Sequence, residues 1–502
     1  MSQPSRPDHS RAPYAEALDA HARRDTLALM VPGHGGTPAG AAADLAWLVG
    51  ERALAMDIPP LIDGIDVGDD SPLVRAQRLA ADAWGARRTW FLANGASQAN
   101  RMAAYALSGL GRGATVVAQR SAHSSFTDGV ILSDLSPRFV FPSIDRDRGI
   151  HHGVSPAALE AALAAAAADA TPVAAVYVIS PSYFGAVADV AGLAEVAHRH
   201  GAPLVVDGAW GAHFGFHPEL PGSPARLGAD LVVSSTHKLG GSLTQSAMLH
   251  LGEGPFADAL EPLLDRALMI TQTTSPSALL LGSLDVARRS LVRDTALIGD
   301  TLAAAERLRE RLRGDGRLPV ISDGFGAFPD ILDHDPMRVA VDVAATGLSG
   351  HRVREVLAAE HGIFLELSTA TAVVAFIGTG KTPDLDRFAA ALIGLVDAAG
   401  AAGTSASAAV TIPELPAAGH LAVAPRAAYF GAHEIVTAAE AIGRVSADSL
   451  AAYPPGIPNV IPGETITAET VAFLQAVAAS PIGYVRGALD SGVQRFRVLA
   501  RP

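Results

Sequence analysis

Leu231-Val232-Val233 runs into Ser234-Ser235-Thr236-His237-Lys238-Leu239-Gly240-Gly241, and this stretch decides the fold of the chain. Among the 502 residues there are 36 arginines but only two lysines, Lys238 and Lys381. A lysine amine can condense with an aldehyde, whereas the guanidinium of arginine stays protonated and cannot. A lysine that follows a buried strand, beside hydroxyls and a histidine, is therefore predicted to bind an aldehyde cofactor as a Schiff base.

Asp207 is the candidate acid of a site for one such aldehyde, pyridoxal 5'-phosphate (PLP). It follows the predicted strand Pro203–Val206, about one strand–helix–strand unit before Lys238. A carboxylate beside the pyridine nitrogen keeps that nitrogen protonated, so the ring can accept electrons from a bond broken at the substrate Cα. Because Asp-Gly is also a common turn pair, the alternative interpretation is an aspartate that caps the next turn.

The phosphate of the cofactor has its own candidate residues. The turn Asn94-Gly95-Ala96-Ser97 joins a predicted strand to a helix. At such a junction the backbone N–H groups of Ala96 and Ser97, together with the serine hydroxyl, suit an anion, although many helices open in this way. Ser235 and His237, neighbours of the lysine in the chain, are predicted to complete the phosphate site.

Two further strand ends carry polar side chains. His123 follows the predicted strand Ala114–Ala118, where its imidazole is expected on the face of the cofactor ring and able to help protonate the product carbanion. Ser182 ends the predicted strand Val173–Ile179, where its hydroxyl is expected to contact the phenolate oxygen. A lone histidine is more often structural or exposed, so this prediction depends on the agreement of the other residues.

Short apolar runs alternate with helical segments from about residue 88 onward. This order predicts an α/β fold in which a mainly parallel sheet carries helices on both faces, with ligands at the carboxyl ends of the strands. The prolines between Tyr453 and Pro458 are predicted to exclude regular structure there. We expect a helical N-terminal arm at 1–25, a PLP-binding large domain at 26–283, a smaller α+β domain at 284–398, a linker at 399–410 and a C-terminal domain at 411–502.

The composition excludes several classes of protein and site. A net charge of -13 gives no electrostatic footprint for nucleic acid or acidic membranes. The chain has no cysteine, which excludes disulfides, zinc-thiolate sites and thiol catalysis, and no metal site is predicted. Residues 1–25 have no signal-peptide core, and no apolar run is long enough to span a bilayer, so a cytoplasmic protein is expected.

Gly378-Thr379-Gly380-Lys381-Thr382 resembles the end of a nucleotide-binding P-loop. The full pattern requires a glycine five positions before Gly380, where this chain has Ala375. Lys381 is therefore predicted to lie on a polar turn rather than at a nucleotide phosphate.

Several motifs, in their order along the chain, resemble the Orn/Lys/Arg decarboxylases, which are PLP-dependent basic amino acid decarboxylases of the aspartate-aminotransferase fold (fold type I). The most specific is Ser235-Thr236-His237-Lys238, which runs into Gly241-Ser242-Leu243-Thr244-Gln245. The others are Pro32-Gly33-His34-Gly35-Gly36, Asn94-Gly95-Ala96-Ser97, Pro181-Ser182-Tyr183-Phe184-Gly185, Asp207-Gly208-Ala209-Trp210-Gly211-Ala212-His213, Thr273-Thr274-Ser275-Pro276-Ser277, Thr346-Gly347-Leu348-Ser349-Gly350, Leu365-Glu366-Leu367-Ser368, Pro425-Arg426, and Tyr453-Pro454-Pro455-Gly456-Ile457-Pro458 with Pro462-Gly463-Glu464.

The resemblance implies a role for each candidate residue around the cofactor ring. It implies that Lys238 forms the Schiff base with PLP and that Asp207 pairs with the pyridine nitrogen. His123 would stack on one face of the ring and Ala209 would lie on the opposite face. Ser182 would lie near the ring oxygen.

The resemblance also implies the phosphate and substrate contacts. The phosphate would be held by Ser97, Ser235 and His237. Glu366 matches a position that meets the distal cation of the substrate in some members, and a carboxylate suits the side chain of a basic amino acid. The alternative is an exposed glutamate near the predicted strand Val373–Ile377.

Three positions depart from the pattern of the family. Gly35 replaces the lysine of the early motif, Ser124 replaces the lysine after the stacking histidine, and Gly208 replaces the acid often found after the pyridine-binding aspartate. These departures place the chain in a divergent branch and leave the identity of its substrate open.

The predicted activity is PLP-dependent decarboxylation of arginine, lysine or ornithine to the corresponding amine, in a homodimer or a higher homo-oligomer. The alternatives are an aminotransferase or a carbon–carbon lyase of the same fold, and a catalytically silent PLP-fold binding protein. The cofactor residues are common to these enzymes, so they do not distinguish decarboxylation from transamination or carbon–carbon cleavage.

Overall fold

A computed structural model of the chain describes residues 7–380, 382–401, 414–453, 456–480 and 483–501. The predictions for Lys381, for linker residues 402–410 and for Pro454 and Pro455 lie outside these residues, as do residues 1–6 of the predicted arm. Two compact units are present: the first takes its residues from 1–106, 205–300 and 378–381, and the second from 107–204, 301–377 and 382–502.

The helices of the described residues begin mainly at polar caps. Ser155 accepts a hydrogen bond from the backbone N–H of Ala158, and Pro156 follows as the first helical residue. The helices are α1 (Pro13–Ala22), α2 (Ala43–Val49), α3 (Glu51–Met56), α4 (Pro72–Trp84), α5 (Gly95–Gly109), α6 (Ser124–Leu132), α7 (Pro156–Ala168), α8 (Val190–Arg199), α9 (Thr236–Leu239), α10 (Ala257–Thr271), α11 (Ala278–Arg293), α12 (Thr295–Asp315), α13 (Gly350–His361), α14 (Leu385–Ala401), α15 (Pro425–Phe430), α16 (Ala438–Ala441) and α17 (Ala468–Ala479).

The strands are short and mostly apolar. They are β1 (Arg88–Leu92), β2 (Thr115–Gln119), β3 (Ser136–Val140), β4 (Ile144–Asp145), β5 (Ile150–His151), β6 (Val173–Ile179), β7 (Ala186–Val187), β8 (Leu204–Asp207), β9 (Leu231–Ser234), β10 (Ala247–Leu251), β11 (Asp333–His334), β12 (Arg338–Asp342), β13 (Leu367–Ser368), β14 (Ala372–Phe376), β15 (His433–Thr437), β16 (Leu450–Tyr453), β17 (Pro458–Val460), β18 (Tyr484–Arg486) and β19 (Arg495–Leu499).

Seven strands form the large sheet, in the order β1-β10-β9-β8-β6-β2-β3. In the first unit, β8 runs parallel to β9 with Asp207 opposite Val233, and β10 runs antiparallel to both β9 and β1. In the second unit, β2 runs parallel to both β3 and β6. A strand that is buried on both faces is a continuous apolar run in the sequence. The bounds of most of these strands were therefore predicted to within one or two residues.

The second unit also contains two smaller layers. Strands β12, β14 and β13 form an antiparallel sheet whose core includes Val339, Val373 and Leu392 of α14. C-terminal to α14, a separate apolar core contains Leu450, Leu474 and other side chains of the last ninety residues.

Two expectations about elements need correction. The strand β10 was not predicted; of its two partners, β9 is close in the chain but β1 is far away. The segment between Tyr453 and Pro458 was expected to lack regular structure, yet Tyr453 ends β16 and Pro458 begins β17. Proline is tolerated at the first residue of a strand, where the missing N–H costs little.

Candidate active site

In the first unit, Asp207 ends one of two neighbouring parallel strands, and Lys238 follows the other. Asp207 is the last residue of β8 and lies opposite Val233 of β9. Lys238 lies in α9, which begins two residues after β9 ends. Because β8 and β9 are parallel, both side chains leave the sheet at the same end, where ligands bind in this class of fold.

Asp207 is buried, with 4% of its surface exposed. One carboxylate oxygen accepts a hydrogen bond from the side-chain amide of Asn100 at 3.1 Å, and the other accepts the backbone N–H of Ala209 at 3.1 Å. Both carboxylate oxygens therefore act as hydrogen-bond acceptors, which is the role that a carboxylate would have toward a protonated ring nitrogen.

Lys238 lies against an aromatic side chain. Its Nζ is 3.7 Å from the centre of the Trp210 ring, a distance at which an ammonium is attracted to the ring face. The hydroxyl of Ser235 is 3.3 Å from Nε2 of His237. Burial lowers the pKa of His237, and the charge of Lys238 lowers it further, so the imidazole stays neutral near pH 7.

The helix α5 begins one residue after Asn94, with Gly95 at a φ of +73° that favours glycine. The backbone N–H of Asn94 donates to the side chain of Gln98 at 3.2 Å. The N–H groups of Ala96 and Ser97 lie in the first turn of α5, where backbone donors lack partners within the helix. This turn can therefore donate hydrogen bonds to an anion.

In the second unit, His123 is the N-cap of α6 and its side chain is exposed. Its Nδ1 accepts the backbone N–H of Ser125 at 3.2 Å and is 2.8 Å from the hydroxyl of that serine. Because Nδ1 is an acceptor, the neutral imidazole carries its hydrogen on Nε2.

Ser182 is buried in the turn between β6 and β7. Its hydroxyl oxygen accepts the backbone N–H of Ala186 at 3.2 Å, and its carbonyl oxygen accepts a hydrogen bond from Arg338. Arg338 is 2% exposed and also forms an ion pair with Asp335 at 3.1 Å. The position of Ser182 is therefore fixed by groups on both sides of the turn.

A cavity of about 620 Å³ lies within the second unit, and His123 lines it. The rings of Tyr453 and Tyr484 stack there with their centres 5.0 Å apart. Other side chains that line the cavity include Ser124, Asp128, Tyr183, Arg354, Ser368, Tyr429 and Arg486. A volume of this size accommodates a small molecule such as an amino acid.

Glu366 is exposed, and it immediately precedes β13. Its neighbours Leu367 and Ser368 line the cavity, whereas Glu366 is not among the lining residues. Its contact with a substrate remains a prediction.

Sequence reasoning missed Asn100 and assigned no role to Trp210. Asn100 is a buried polar residue on α5, and a buried amide needs a partner. The signal in the sequence was the pair Gln98 and Asn100 within an otherwise alanine-rich helix. Trp210 lies within the quoted Asp207 motif, but only the fold places its ring beside Lys238.

The chain belongs to the Orn/Lys/Arg decarboxylase family. The model of the Orn/Lys/Arg decarboxylase major domain matches residues 12–323, and that of the C-terminal domain matches residues 413–481. The arginine decarboxylase of Bacillus subtilis (strain 168) is 35% identical over 495 residues, which are 97% of each chain. The arginine decarboxylase of Halalkalibacterium halodurans is 33% identical and covers 97% of this chain and 98% of its own.

A solved structure confirms the fold. Lysine decarboxylase A from Pseudomonas aeruginosa superposes with a TM-score of 0.80 and 21% identity, and the match covers 97% of this chain and 80% of that one. The predicted α/β fold with a mainly parallel sheet is therefore confirmed, and the chain is a decarboxylase. Within the described residues, every helix is too short or too polar to cross a membrane.

Proposed function

We propose that the protein catalyses the PLP-dependent decarboxylation of a basic amino acid. The observation that carries the proposal is the placement of Lys238 and the buried Asp207 at the same end of the neighbouring strands β9 and β8. Similarity to enzymes named arginine decarboxylases over 97% of the chain supports it and makes arginine the first substrate to test, before lysine and ornithine.

The residues of the first unit fit PLP. Lys238 would hold the cofactor through Nζ, and Asp207 would accept the pyridine N–H, which its buried carboxylate keeps protonated. Ala209 would lie on one face of the ring. The phosphate would be held by the first turn of α5 at Ala96 and Ser97, together with Ser235 and His237.

Two further roles are proposed from the family resemblance alone. By family resemblance, His123 takes the other face of the ring and Ser182 the ring oxygen. The hydroxyl of Ser182 accepts a backbone N–H, so its own hydrogen can be donated to an oxygen anion.

The reaction converts an amino acid and one proton into an amine and CO2. When bound, PLP would supply a protonated ring that accepts the electrons of the Cα–carboxylate bond. The proton must then reach Cα. His123 would first take up a proton from solvent, because only the imidazolium can act as an acid near pH 7, and would then donate from Nε2 and return to the neutral imidazole. The cavity beside His123 gives this side chain a path to exchange that proton with solvent.

Recognition of the distal cation of the substrate is assigned to Glu366. An exposed carboxylate next to β13 can pair with a guanidinium or an ammonium, and a guanidinium forms two parallel hydrogen bonds with it. If the side-chain cations of both substrates reach the carboxylate of Glu366, arginine would therefore be preferred over lysine.

The protein is proposed to act as a homodimer or a higher homo-oligomer. Between residues 27 and 67, large apolar side chains are exposed, including Leu27 at 86%, Leu29 at 88% and Trp47 at 85%. A contiguous chain segment with this much exposed apolar surface is typical of a subunit interface, and a second copy of the chain would cover it.

An amine assay tests the proposal. The protein is loaded with PLP and incubated with arginine, lysine or ornithine, and CO2 and amine are measured; we expect release from arginine. Lys238→Ala should abolish both the activity and the visible absorbance band of the bound cofactor. Lys381→Ala, which removes the other lysine of the chain, is the matched control and should retain both.

Three results contradict the proposal. Formation of a keto acid in place of CO2 would identify an aminotransferase. Cleavage between Cα and Cβ, without release of CO2, would identify a carbon–carbon lyase such as an aldolase. A colourless protein that fails to take up PLP would identify a silent binding protein.

A further inference from the structure

The helix α6, which begins at His123, is held at both ends by residues of the C-terminal segment. At its end, the guanidinium of Arg426 donates to the carbonyl oxygens of Ile131 at 3.3 Å and Leu132 at 3.0 Å. These carbonyls belong to the last turn, where the helix itself provides no partner and a cation is favoured. Arg426 therefore caps α6 from outside.

Just before α6, Arg120 is bound by the same segment. Its guanidinium forms two hydrogen bonds with the carboxylate of Glu464, at 2.5 and 2.8 Å, and its Nε donates to the carbonyl oxygen of Pro458 at 2.8 Å. The side chains of Arg120 and Glu464 are 0% and 4% exposed. A buried, bidentate pair of this kind has a fixed geometry, because neither partner can be solvated in another position.

The turn that carries Glu464 is itself rigid. Gly463 has a φ of +95°, and a Cβ at this position would lie 2.1 Å from the carbonyl oxygen of Val423, so only glycine fits. The carboxylate of Glu464 also accepts the backbone N–H of Ile461 at 3.0 Å. These contacts explain the motif Pro462-Gly463-Glu464, for which the proposed chemistry has no use.

Arg120 is three residues from His123, and the loop between them has little freedom. The backbone N–H of Ala122 donates to the carbonyl oxygen of Gln119 at 3.0 Å, and the side-chain amide of Gln119 is bonded to Ser121 at 2.8 Å. A displacement of Arg120 would therefore be transmitted to the histidine ring.

We propose that Arg120, Glu464 and Arg426 are positioning residues, through which the C-terminal segment fixes the His123 imidazole at the cavity. The proposal rests on the proposed function of His123 in protonation. It predicts that loss of either contact displaces the ring, so that proton transfer slows while substrate binding changes little.

Hydrogen–deuterium exchange tests the contacts without any need for activity. In the cofactor-free protein, Glu464→Gln and Arg426→Gln should each accelerate exchange in peptides that cover residues 120–132. The matched control is Asp448→Asn, which makes the same change from acid to amide in a C-terminal ion pair whose partner is Arg497 at 2.9 Å. Unchanged exchange at 120–132 in both test variants would overturn the proposal.

Kinetics then separate positioning from general structural damage. Glu464→Gln and Arg426→Gln should lower kcat on the order of tenfold while KM changes by less than about twofold. Arg426→Lys should restore most of the loss, because an ammonium can still donate to the carbonyl oxygens. Since Arg426 is exposed, its variants test the proposal even if Glu464→Gln fails to fold.

A double-mutant cycle identifies the residue through which the effect acts. In a His123→Gln background, the kcat losses caused by Glu464→Gln and Arg426→Gln should disappear. Losses that multiply in full would refute the proposal, and so would a wild-type kcat in His123→Gln alone. If the wild-type protein releases no CO2, the proposed function fails, whereas the exchange experiment still decides whether the C-terminal segment holds α6.

Discussion

His152 is a buried histidine that should make the stability of the protein depend on pH. It is 1% exposed, and within the described residues neither ring nitrogen has a hydrogen-bond partner. Its ring packs edge-on against Phe325 and Phe328, with centres 5.4 and 4.5 Å away. Burial lowers the pKa of His152 to about 4, and the nearby carboxylate of Asp330 offsets only part of this effect.

The pKa of His152 in the folded and unfolded states gives the sign and size of the effect on the free energy of unfolding. In the unfolded chain the histidine has its ordinary pKa of 6.5, so below that value the unfolded state binds a proton that the folded state does not. Above pH 6.5 the histidine is neutral in both states and does not lower the free energy of unfolding. As the pH falls from 6.5 toward 4, the unfolded state is favoured and the free energy of unfolding decreases. At about 1.4 kcal/mol per pKa unit, the total loss is roughly 3 kcal/mol.

The test is the free energy of unfolding in urea, measured from pH 7 to pH 4 for the wild type and for His152→Phe. The variant keeps the aromatic packing but cannot be protonated, so its stability should fall less steeply, by up to about 1.4 kcal/mol per pH unit. His433→Phe, at an exposed histidine of β15, is the matched control. Equal slopes for the wild type and His152→Phe would refute the reasoning.

Two further predictions concern the proposed site and the proposed assembly. Asn100→Ala removes a donor to the buried carboxylate of Asp207 and should weaken PLP binding on the order of tenfold, as measured by equilibrium dialysis, whereas Asn459→Ala, at a buried amide of the C-terminal segment, should not. Trp47→Asp places a charge in the exposed apolar segment and should shift the mass measured by light scattering toward the monomer. The control Phe364→Asp, at an aromatic side chain of equal exposure, should leave the mass unchanged; an unchanged mass for Trp47→Asp would contradict the assigned interface.

The local sequence determined the positions of most strands of the large sheet and the candidate residues at their ends. A buried strand is a continuous apolar run, so the bounds of the strand Val173–Ile179 were predicted to the residue. The scarcity of lysine singled out Lys238. Its spacing from Asp207 was interpreted as one strand–helix–strand unit, but the described residues 208–230 form no helix, and β8 and β9 pair directly as parallel strands. These features depend on residues within a few tens of positions of each other.

The tertiary structure decided which distant side chains meet. The sequence contains 36 arginines with the same charge, and nothing local distinguishes Arg120 from the others. Only the path of the chain brings Glu464, which is 344 positions away, to its guanidinium. The same holds for the pairing of β10 with β1, and for Asn100 beside Asp207. Such contacts depend on how separate elements pack, because burial and pairing are properties of the folded chain as a whole, whereas periodicity and capping act within a single element.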